Sequence, residues 1–278
     1  MALSRKNTRN GYLQRVCLEL YHEHRHEGTL PTSLRFLFYE LEGRGIVAKS
    51  YPGKTVTGSQ EVSRAFMVLR EEGLVPWGDI VDETRSLHNP HRRATVAEAA
   101  ADLLDRARKD PWEGTLAPLV LCESRSLSGV LSSIARRYCV PLAATNGQTG
   151  GFLHTDVGPL VQGSVLEVLY FGDLDFSGGH IEANTRRVLE SYEPGLLWTK
   201  LAITDAQVRE RGLSVMSKFD ARTKTRHDAV ETEALSQGEI VRMLTEALDE
   251  RLERPLAETR ALEKRERAQV RALLEAEG

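Results

Sequence analysis

Two aspartates stand one residue apart in the stretch FGDLDFSG, residues 171–178, where an apolar run gives way to glycines. Like charges this close repel, so one of Asp173 and Asp175 tends to stay protonated unless a cation lies between them. Mg²⁺ is usually held by one or two carboxylates together with waters and phosphate oxygens of a substrate. The glycines leave room for a phosphodiester at the start of a helix, whose N-terminus favours anions. The pair therefore predicts a magnesium site that accepts phosphate.

A third acidic residue, Glu123, follows another apolar run, residues 116–122 (LAPLVLC). If both runs are strands of one parallel sheet, their carboxyl ends meet at the same edge. Glu123 is then expected to join Asp173 and Asp175 around Mg²⁺ or Mn²⁺. A second interpretation stays open, in which the aspartates lie on the surface and cap the following helix, because aspartate is a favoured N-cap residue.

The elements that must position these acids alternate between strand and helix patterns. Four apolar runs are strand candidates: residues 116–122, 140–144, 165–171 and 196–203. Helical spacing over residues 127–134 and 181–192 separates them, which predicts an α/β fold with a mostly parallel, Rossmann-like sheet. The tail from Ser236 is rich in charge and interrupted by Pro255, and it is predicted to form solvated or dimer-supporting helices.

The N-terminal part shows three amphipathic helices instead. They are predicted over residues 10–24, from Ser33 to about Gly43, and from a capping box at residues 57–60 to about Gly73. Three such helices followed by an extended stretch at residues 74–77 are typical of a winged-helix module, whose third helix enters a DNA groove. Polar residues off the apolar side of the third helix are then candidates for DNA contact: Gln60, Ser63, Arg64 and Arg70.

Composition is consistent with two folded units. The chain has 278 residues, 41% of them apolar and 28% charged, as in soluble globular proteins. Residues 1–70 hold 11 Lys and Arg against 6 Asp and Glu, so the overall charge of −3 divides into +5 for this part and −8 for the remainder. A basic N-terminal part beside an acidic remainder indicates one surface for polyanions and another for cations. Scattered solvated charge is the alternative.

The domain boundaries follow from these patterns. A DNA-binding domain is predicted over residues 1–90, a metal-binding α/β domain over 95–235 and a helical tail over 236–278, with a polar linker at residues 88–93. The longest apolar runs are too short for a membrane helix and the N-terminus has no secretory signal, which favours a cytoplasmic protein without membrane contact. Three cysteines without CxxC spacing indicate reduced core residues and not disulfides or zinc ligands.

The acidic set resembles a known family. Glu123 at a strand end and the later Asp-x-Asp are similar to the Toprim domain shared by topoisomerases, primases and some nucleases. More narrowly, GDLDFSG resembles the D-x-D-P-x-G motif of the A subunit of type IIB topoisomerase (topoisomerase VI) and of the Spo11 recombination protein, with Phe176 where that family usually has proline. The stretch VETEAL, residues 230–235, resembles the end of such Toprim domains.

The N-terminal part carries the other half of this resemblance. In that family a winged-helix domain precedes Toprim and carries an arginine followed, four residues later, by a tyrosine. This chain has Arg35 and Tyr39 at that spacing, with Phe36 where the family has an acidic residue. The resemblance covers about residues 10–240. The tyrosine hydroxyl is a poor nucleophile until its proton is drawn off, since its usual pKa is near ~10.

The resemblance implies a function and a set of roles. Tyr39 would attack double-stranded DNA and form a 5′-phosphotyrosyl link, Arg35 would hold a phosphate, and Mg²⁺ would be bound by Glu123 and Asp173 with help from Asp175. It implies a nucleoid-associated homodimer in which each active centre is built from two subunits. Strand passage would need an ATPase (B-type) subunit in trans.

The sequence itself offers no ATP site. Residues 53–55 (Gly-Lys-Thr) look like the end of a phosphate-binding loop, but the glycine required five positions earlier is Ala48. Lys54 is therefore predicted to be a wing residue that contacts the DNA backbone. Two alternatives remain open: a Toprim-type metal-dependent nuclease that uses water while Tyr39 only packs, and a non-catalytic DNA-binding regulator.

Overall fold

The computed structural model describes residues 8–53, 55–81, 94–145, 150–220 and 225–276. The N-terminal module consists of three helices, α1 (Arg9–Glu27), α2 (Leu34–Gly43) and α3 (Gly58–Glu71), with two short strands, β1 (Thr32–Ser33) and β2 (Ile80–Val81). Each helix begins at a hydroxyl side chain that accepts a hydrogen bond from a backbone N–H of its first turn: Thr8, Ser33 and Thr57. The predicted capping box at residues 57–60 is present.

The three helices pack their apolar faces into one core. Its fully buried members include Cys17, Leu20, Leu41, Phe66 and Leu69. The predicted helices are therefore confirmed in type and position.

The described residues that follow α3 do not show the extended stretch that was expected to complete a winged-helix module. The stretch at residues 74–77 forms no strand; Val75 is buried and Trp77–Asp79 form a single 3-10 turn. Among the described residues of this module, the strands are β1 and β2, which pair in parallel and not as a hairpin. Lys54 and the predicted linker at residues 88–93 lie outside the described residues.

The second unit is built on a four-stranded parallel sheet. Its strands are β3 (Leu119–Cys122), β4 (Leu142–Ala144), β5 (Glu167–Phe171) and β6 (Leu197–Ala202), in the order β4-β3-β5-β6. Each predicted strand run contains one of these strands, so the α/β class and the parallel sheet are confirmed.

Helices and a hairpin surround this sheet. The helices are α4 (Val96–Arg106), α5 (Arg125–Tyr138), α6 (Gly150–Phe152), α7 (Gly158–Val161), α8 (Phe176–Glu190), α9 (Asp205–Arg211), α10 (Gln237–Asp249) and α11 (Leu256–Ala276). The hairpin, which was not predicted, joins β7 (Met216–Asp220) to β8 (Thr225–Ala229) in antiparallel pairing. None of the helices within the described residues is long and apolar enough to cross a membrane.

The C-terminal tail is helical and breaks before α11 as predicted, but its first half is not a solvated helix. Ile240, Leu244 and Leu248 of α10 are completely buried in the core of the α/β unit. Their spacing places them on one face of the helix. α10 is thus part of the second unit and not a separate tail.

Phe36 of α2 links the two units. Its side chain is fully buried, yet it packs in the core of the α/β unit, while Leu37, Phe38 and Leu41 of the same helix pack in the three-helix core. Gln237 at the start of α10 adds polar contacts, donating to the carbonyls of Thr29 and Pro31. α2 is consequently held from both sides.

Two of the three cysteines are core residues, as predicted. Cys17 and Cys122 are buried, Cys139 is partly buried, and all three are free thiols. Burial raises the pKa of Cys17 to about 12, which keeps this thiol protonated and inert near neutral pH.

Candidate functional site

The candidate site lies where strand addition changes from one side of β3 to the other. From β3 the chain passes to β4 on one side, and later returns to add β5 on the other side of β3. In open α/β sheets, ligands bind at the carboxyl ends of the strands that flank such a switch point. The last residues of these two strands, Cys122 and Phe171, are paired directly. The residues that follow them therefore meet where this fold usually binds ligands.

Glu123 and Asp173 are brought together at this point. The Glu123 Oε2 atom accepts a hydrogen bond from the Asp173 N–H at 3.2 Å, and the Glu123 N–H donates to the Phe171 carbonyl at 3.0 Å. The Asp173 Oδ1 atom accepts two hydrogen bonds from Thr232, from its N–H at 2.8 Å and from its hydroxyl at 3.0 Å. Both carboxylates are thus oriented by fixed donors of the protein.

Asp175 caps the helix that follows it. Its Oδ1 atom accepts from the Gly178 N–H at 2.6 Å, so Asp175 is the N-cap of α8. This is the capping role that the alternative interpretation gave to the pair. α8 consequently begins five residues earlier than the sequence indicated, and a role of Asp175 in metal binding stays a prediction.

The donor set of Glu123 and Asp173 suits a hard cation. Two carboxylates at neighbouring strand ends supply the kind and number of protein ligands that Mg²⁺ usually takes, with waters and phosphate oxygens completing the shell. Within the part of the chain that the structure describes, no group of three or more His, Cys, Asp or Glu side chains is arranged to hold a metal. A magnesium ion here would therefore depend on ligands from water and substrate.

The predicted nucleophile lies against the segment that holds Asp173. The hydroxyl of Tyr39 donates to the Oε2 atom of Glu231, which is only 8% exposed. The Lys49 ammonium lies 3.4 Å from the Glu231 Oε1 atom and 4.8 Å from the centre of the Tyr39 ring. Glu231 immediately precedes Thr232, so the phenol and Asp173 are bound by adjacent residues.

Arg35 lies one turn before Tyr39 on the same face of α2. Its Nε atom contacts Glu233 Oε1 at 2.7 Å and its guanidinium lies 3.7 Å from Glu231 and 5.5 Å from the centre of the Tyr39 ring. With 44% of its side chain exposed, Arg35 is accessible to a phosphate, although its charge is balanced by the two glutamates in this state.

Glu233 connects this cluster to the loop after β3. It is 3% exposed, and its Oε1 atom accepts hydrogen bonds from the hydroxyls of Ser124 and Ser126, each at 3.0 Å. Ser124 follows Glu123 directly and caps α5. The segment 230–233 therefore bridges α2, the switch point and the start of α5.

The charge state of Glu231 is set by opposing effects. Burial raises the pKa of its carboxyl group above the ordinary value, the neighbouring Glu233 raises it further, and Arg35 lowers it in part. The net direction is upward, because burial disfavours the ionised form more than Arg35 stabilises it.

Three functional candidates were missed by the sequence analysis: Lys49, Glu231 and Glu233. The stretch VETEAL, residues 230–235, contains both glutamates. Its two glutamates one residue apart repeat the spacing of the aspartate pair, and this spacing was the available indication. No feature of the sequence indicates a role for Lys49, since a lysine in a loop is usually solvated.

The predicted DNA-binding residues of α3 differ in their surroundings. Arg64 is exposed and makes no ion pair within the described residues. Arg70 instead stacks over the ring of Trp77 at 4.3 Å and donates to its carbonyl at 2.6 Å. The Arg70 side chain thereby braces the turn after α3, whereas Arg64 remains a candidate for phosphate contact.

A cleft of about 600 Å³ opens beside Tyr39, between α2 and the stretches 212–216 and 231–239. Its wall is strongly acidic and includes Glu40, Glu42 and Glu239. A polyanion that approaches the phenol from this side meets like charge, so its binding depends on cations, either bound ions or the basic side chains next to the cleft.

Comparison with known proteins adds no relative. A scan of protein-family models, a search of curated proteins and a search of solved structures each found no match for this chain.

Proposed function

We propose that the chain is a DNA-cleaving subunit similar to the A subunit of topoisomerase VI and to Spo11, acting by Mg²⁺-dependent transesterification. One observation carries the proposal: the Tyr39 hydroxyl and the Asp173 carboxylate are bound by the adjacent residues Glu231 and Thr232. A nucleophile and a pair of metal-binding acids that are distant in sequence thus belong to one cluster. A winged-helix and a Toprim domain are the finer assignments that this proposal makes for the two units.

The residues divide the work as follows. Tyr39 attacks the scissile phosphate and remains attached to the 5′ end, while the 3′ oxygen leaves. Arg35 binds a non-bridging oxygen of that phosphate, and Arg64 with Lys54 contacts the backbone further along the duplex. Mg²⁺ or Mn²⁺ held by Glu123 and Asp173 would supply charge stabilisation for the phosphate and the leaving oxygen.

The partners follow from this chemistry. A double-strand break in DNA needs two centres, so the proposal includes a homodimer. The Tyr39 hydroxyl contacts Glu231 of its own chain, and the earlier expectation that each centre combines two subunits stays a prediction. An ATPase subunit in trans would be needed for strand passage, and the cell compartment proposed is the cytoplasm, on the nucleoid.

A nuclease that uses water is the second candidate. Tyr39 is partly buried, flanked by Lys49 and Arg35, and its hydroxyl is already bonded to Glu231. These contacts also fit a tyrosine that only positions its neighbours. The Glu123–Asp173 pair would then bind the metal that activates water.

Cleavage of supercoiled plasmid separates these functions. The protein is incubated with plasmid and Mg²⁺ or Mn²⁺, stopped with detergent, and analysed before and after protease digestion, for wild type, Tyr39→Phe and Asp173→Asn. The proposal predicts broken DNA that enters the gel fully only after digestion, and no cleavage by either variant. Free 5′ phosphates and an active Tyr39→Phe would establish the nuclease instead. DNA binding without any cleavage would contradict both enzymatic functions and favour a non-catalytic DNA-binding regulator.

A further inference from the structure

We propose that Glu231 is the proton acceptor for Tyr39, a further catalytic residue of the proposed cleavage reaction. The inference rests on the proposed function, since it assigns the base that the nucleophile requires. General bases must lie within hydrogen-bond reach of the proton they take. Glu231 meets this condition, because its Oε2 atom accepts the hydrogen bond of the Tyr39 hydroxyl.

Other acids of the cluster are engaged elsewhere. Asp173 is bound by Thr232 and Glu123 by the Asp173 N–H. Glu233 accepts from two serine hydroxyls and contacts Arg35. Among the hydrogen bonds of the described residues, the carboxylate that accepts from the Tyr39 hydroxyl is that of Glu231.

The surroundings of Glu231 suit a base. Its carboxyl group faces Arg35 and Tyr39 from α2, Lys49 from the following loop, and Glu233 from its own segment. Burial raises the pKa of Glu231, which makes it a stronger proton acceptor than an exposed glutamate. Lys49 and Arg35 lie near the Tyr39 ring, where positive charge stabilises a phenolate.

The step balances without any redox change. The proton of the Tyr39 hydroxyl moves to Glu231 as the phenolic oxygen forms its bond to phosphorus. The bond between phosphorus and the 3′ oxygen breaks, and that oxygen takes a proton from water. In the reverse reaction, the 3′ hydroxyl attacks phosphorus and gives its proton to the hydroxide left by that water. The bond between phosphorus and the Tyr39 oxygen breaks, and Glu231 returns its proton to that oxygen, which restores both the DNA and the enzyme.

Two variants separate proton transfer from positioning. Glu231→Gln keeps the size of the side chain and an oxygen that accepts the Tyr39 hydrogen bond, but it takes no proton. Glu233→Gln makes the same chemical change on the neighbouring buried carboxylate, which contacts Arg35 and not Tyr39. The two variants therefore differ in one respect: only Glu231→Gln changes the group that accepts the hydrogen bond of the Tyr39 hydroxyl.

The first measurement is the single-turnover rate of covalent DNA attachment as a function of pH. We expect Glu231→Gln to slow attachment by about 10²- to 10⁴-fold and to remove the rise of rate with pH that reflects ionisation of the base. Glu233→Gln should keep that rise even if the rate is lower. Equal rates and equal profiles for wild type and Glu231→Gln would overturn the assignment.

The second measurement needs no DNA. An arylsulfonyl fluoride is added to the whole chain, and modification of Tyr39 is followed by peptide mass spectrometry. The phenolic oxygen bonds to sulfur, fluoride leaves, and the phenolic proton passes to Glu231. We expect wild type and Glu233→Gln to be modified more than about tenfold faster than Glu231→Gln.

The two measurements distinguish the two claims. Faster modification of wild type than of Glu231→Gln without any DNA cleavage would support the base and contradict the proposed function. Covalent DNA cleavage with the same rate in Glu231→Gln would support the function and contradict the base. Equal modification of Tyr39 in wild type and Glu231→Gln likewise overturns the base.

Discussion

At the residue scale, Thr232 orients the carboxylate of Asp173. It is 2% exposed and gives both its N–H and its hydroxyl to Asp173. Thr232→Val keeps the shape and the backbone donor but removes the hydroxyl. Hydrogen bonds to charged groups contribute about 1.5–3 kcal/mol, so we expect the free energy of unfolding in urea to fall by about that amount.

Thr232→Ser is the matched control for this change. It keeps the hydroxyl and loses a methyl group, so its stability and its plasmid-cleavage rate should stay closer to wild type. A Thr232→Val protein as stable and as active as wild type would show that the hydroxyl does not position Asp173.

Glu231 makes stability depend on pH in a defined direction. Its carboxyl pKa is raised in the folded state from an ordinary value of 4.5. Its stabilising contribution is therefore complete below that value and is lost as pH rises through the raised pKa. The free energy of unfolding of wild type, relative to Glu231→Gln, should fall as pH increases from about 4.5. Urea unfolding of both proteins across this range measures the difference.

Glu167 serves as a control, because the pKa of its carboxyl group is lowered whereas that of Glu231 is raised. Arg251 forms two hydrogen bonds of 2.7 Å with Glu167 and, with Thr199, lowers the pKa of its carboxyl group. The free energy of unfolding of wild type, relative to Glu167→Gln, should be highest at a pH above the ordinary pKa of a glutamate. It should decline as the pH falls below that value. The same slope for both glutamates would contradict the assigned directions.

These residues also show what the sequence could tell. Glu123 and Asp173 were predicted to meet because strand ends are visible as apolar runs that stop at charged residues. Glu231 and Lys49 were not found, because their contacts with Tyr39 depend on the packing of α2 against the second unit. No local pattern in one sequence encodes such a contact.

At the element scale, the tight turn between β5 and α8 sets the position of Asp173. A Cβ atom on Gly178 would lie 2.6 Å from the Asp173 carbonyl oxygen and 3.3 Å from Asp175 Oδ1. Since the nearest atom is backbone, Gly178→Ala must displace the turn. We expect a loss of about 1–3 kcal/mol in unfolding free energy and a large loss of cleavage.

Gly179 provides the internal comparison. A Cβ atom there meets nothing within 4 Å, and the residue lies inside α8. Gly179→Ala should therefore stabilise the protein by about 0.5–1 kcal/mol and preserve activity. Similar thermal unfolding of the two variants would show that the close approach at Gly178 does not matter.

Element boundaries and pairing were harder to predict than element types. The start of α8 was misplaced because Phe176 and the glycines resemble a loop, whereas the Asp175 cap begins the helix there. The order β4-β3-β5-β6 depends on long-range pairing, which apolar runs alone do not specify. The hairpin β7–β8 was missed because β8 is polar and mostly exposed, so it has no apolar run.

At the scale of the whole molecule, Phe36 couples the two units. Truncating a completely buried phenylalanine typically costs about 3–5 kcal/mol, and Phe36→Ala should lower the unfolding free energy by that amount. Helical circular dichroism reports both units. In a Trp77→Phe background, fluorescence reports the α/β unit alone, because that unit holds Trp112 and Trp198. We expect the two probes to give the same urea midpoint, as one cooperative unit requires.

Phe36→Leu is the conservative comparison, and it should cost less because most of the apolar volume is kept. Separate midpoints for circular dichroism and fluorescence in the Trp77→Phe protein would contradict the coupling. An acidic side chain at residue 36 would be buried in an apolar core, so Phe36→Glu should destabilise the fold more than either change.

The placement of α2 between two cores has a mechanical consequence for its chemistry. Within ten residues, this helix carries an anchor for each unit and the hydroxyl that faces Glu231. Side chains on opposite faces of α2 pack into the two cores and oppose both rotation and translation of the helix, so the Tyr39 hydroxyl is held in place. A substitution that changes the packing of either hydrophobic core, even far from Tyr39, would therefore shift α2 and move the Tyr39 hydroxyl relative to Glu231.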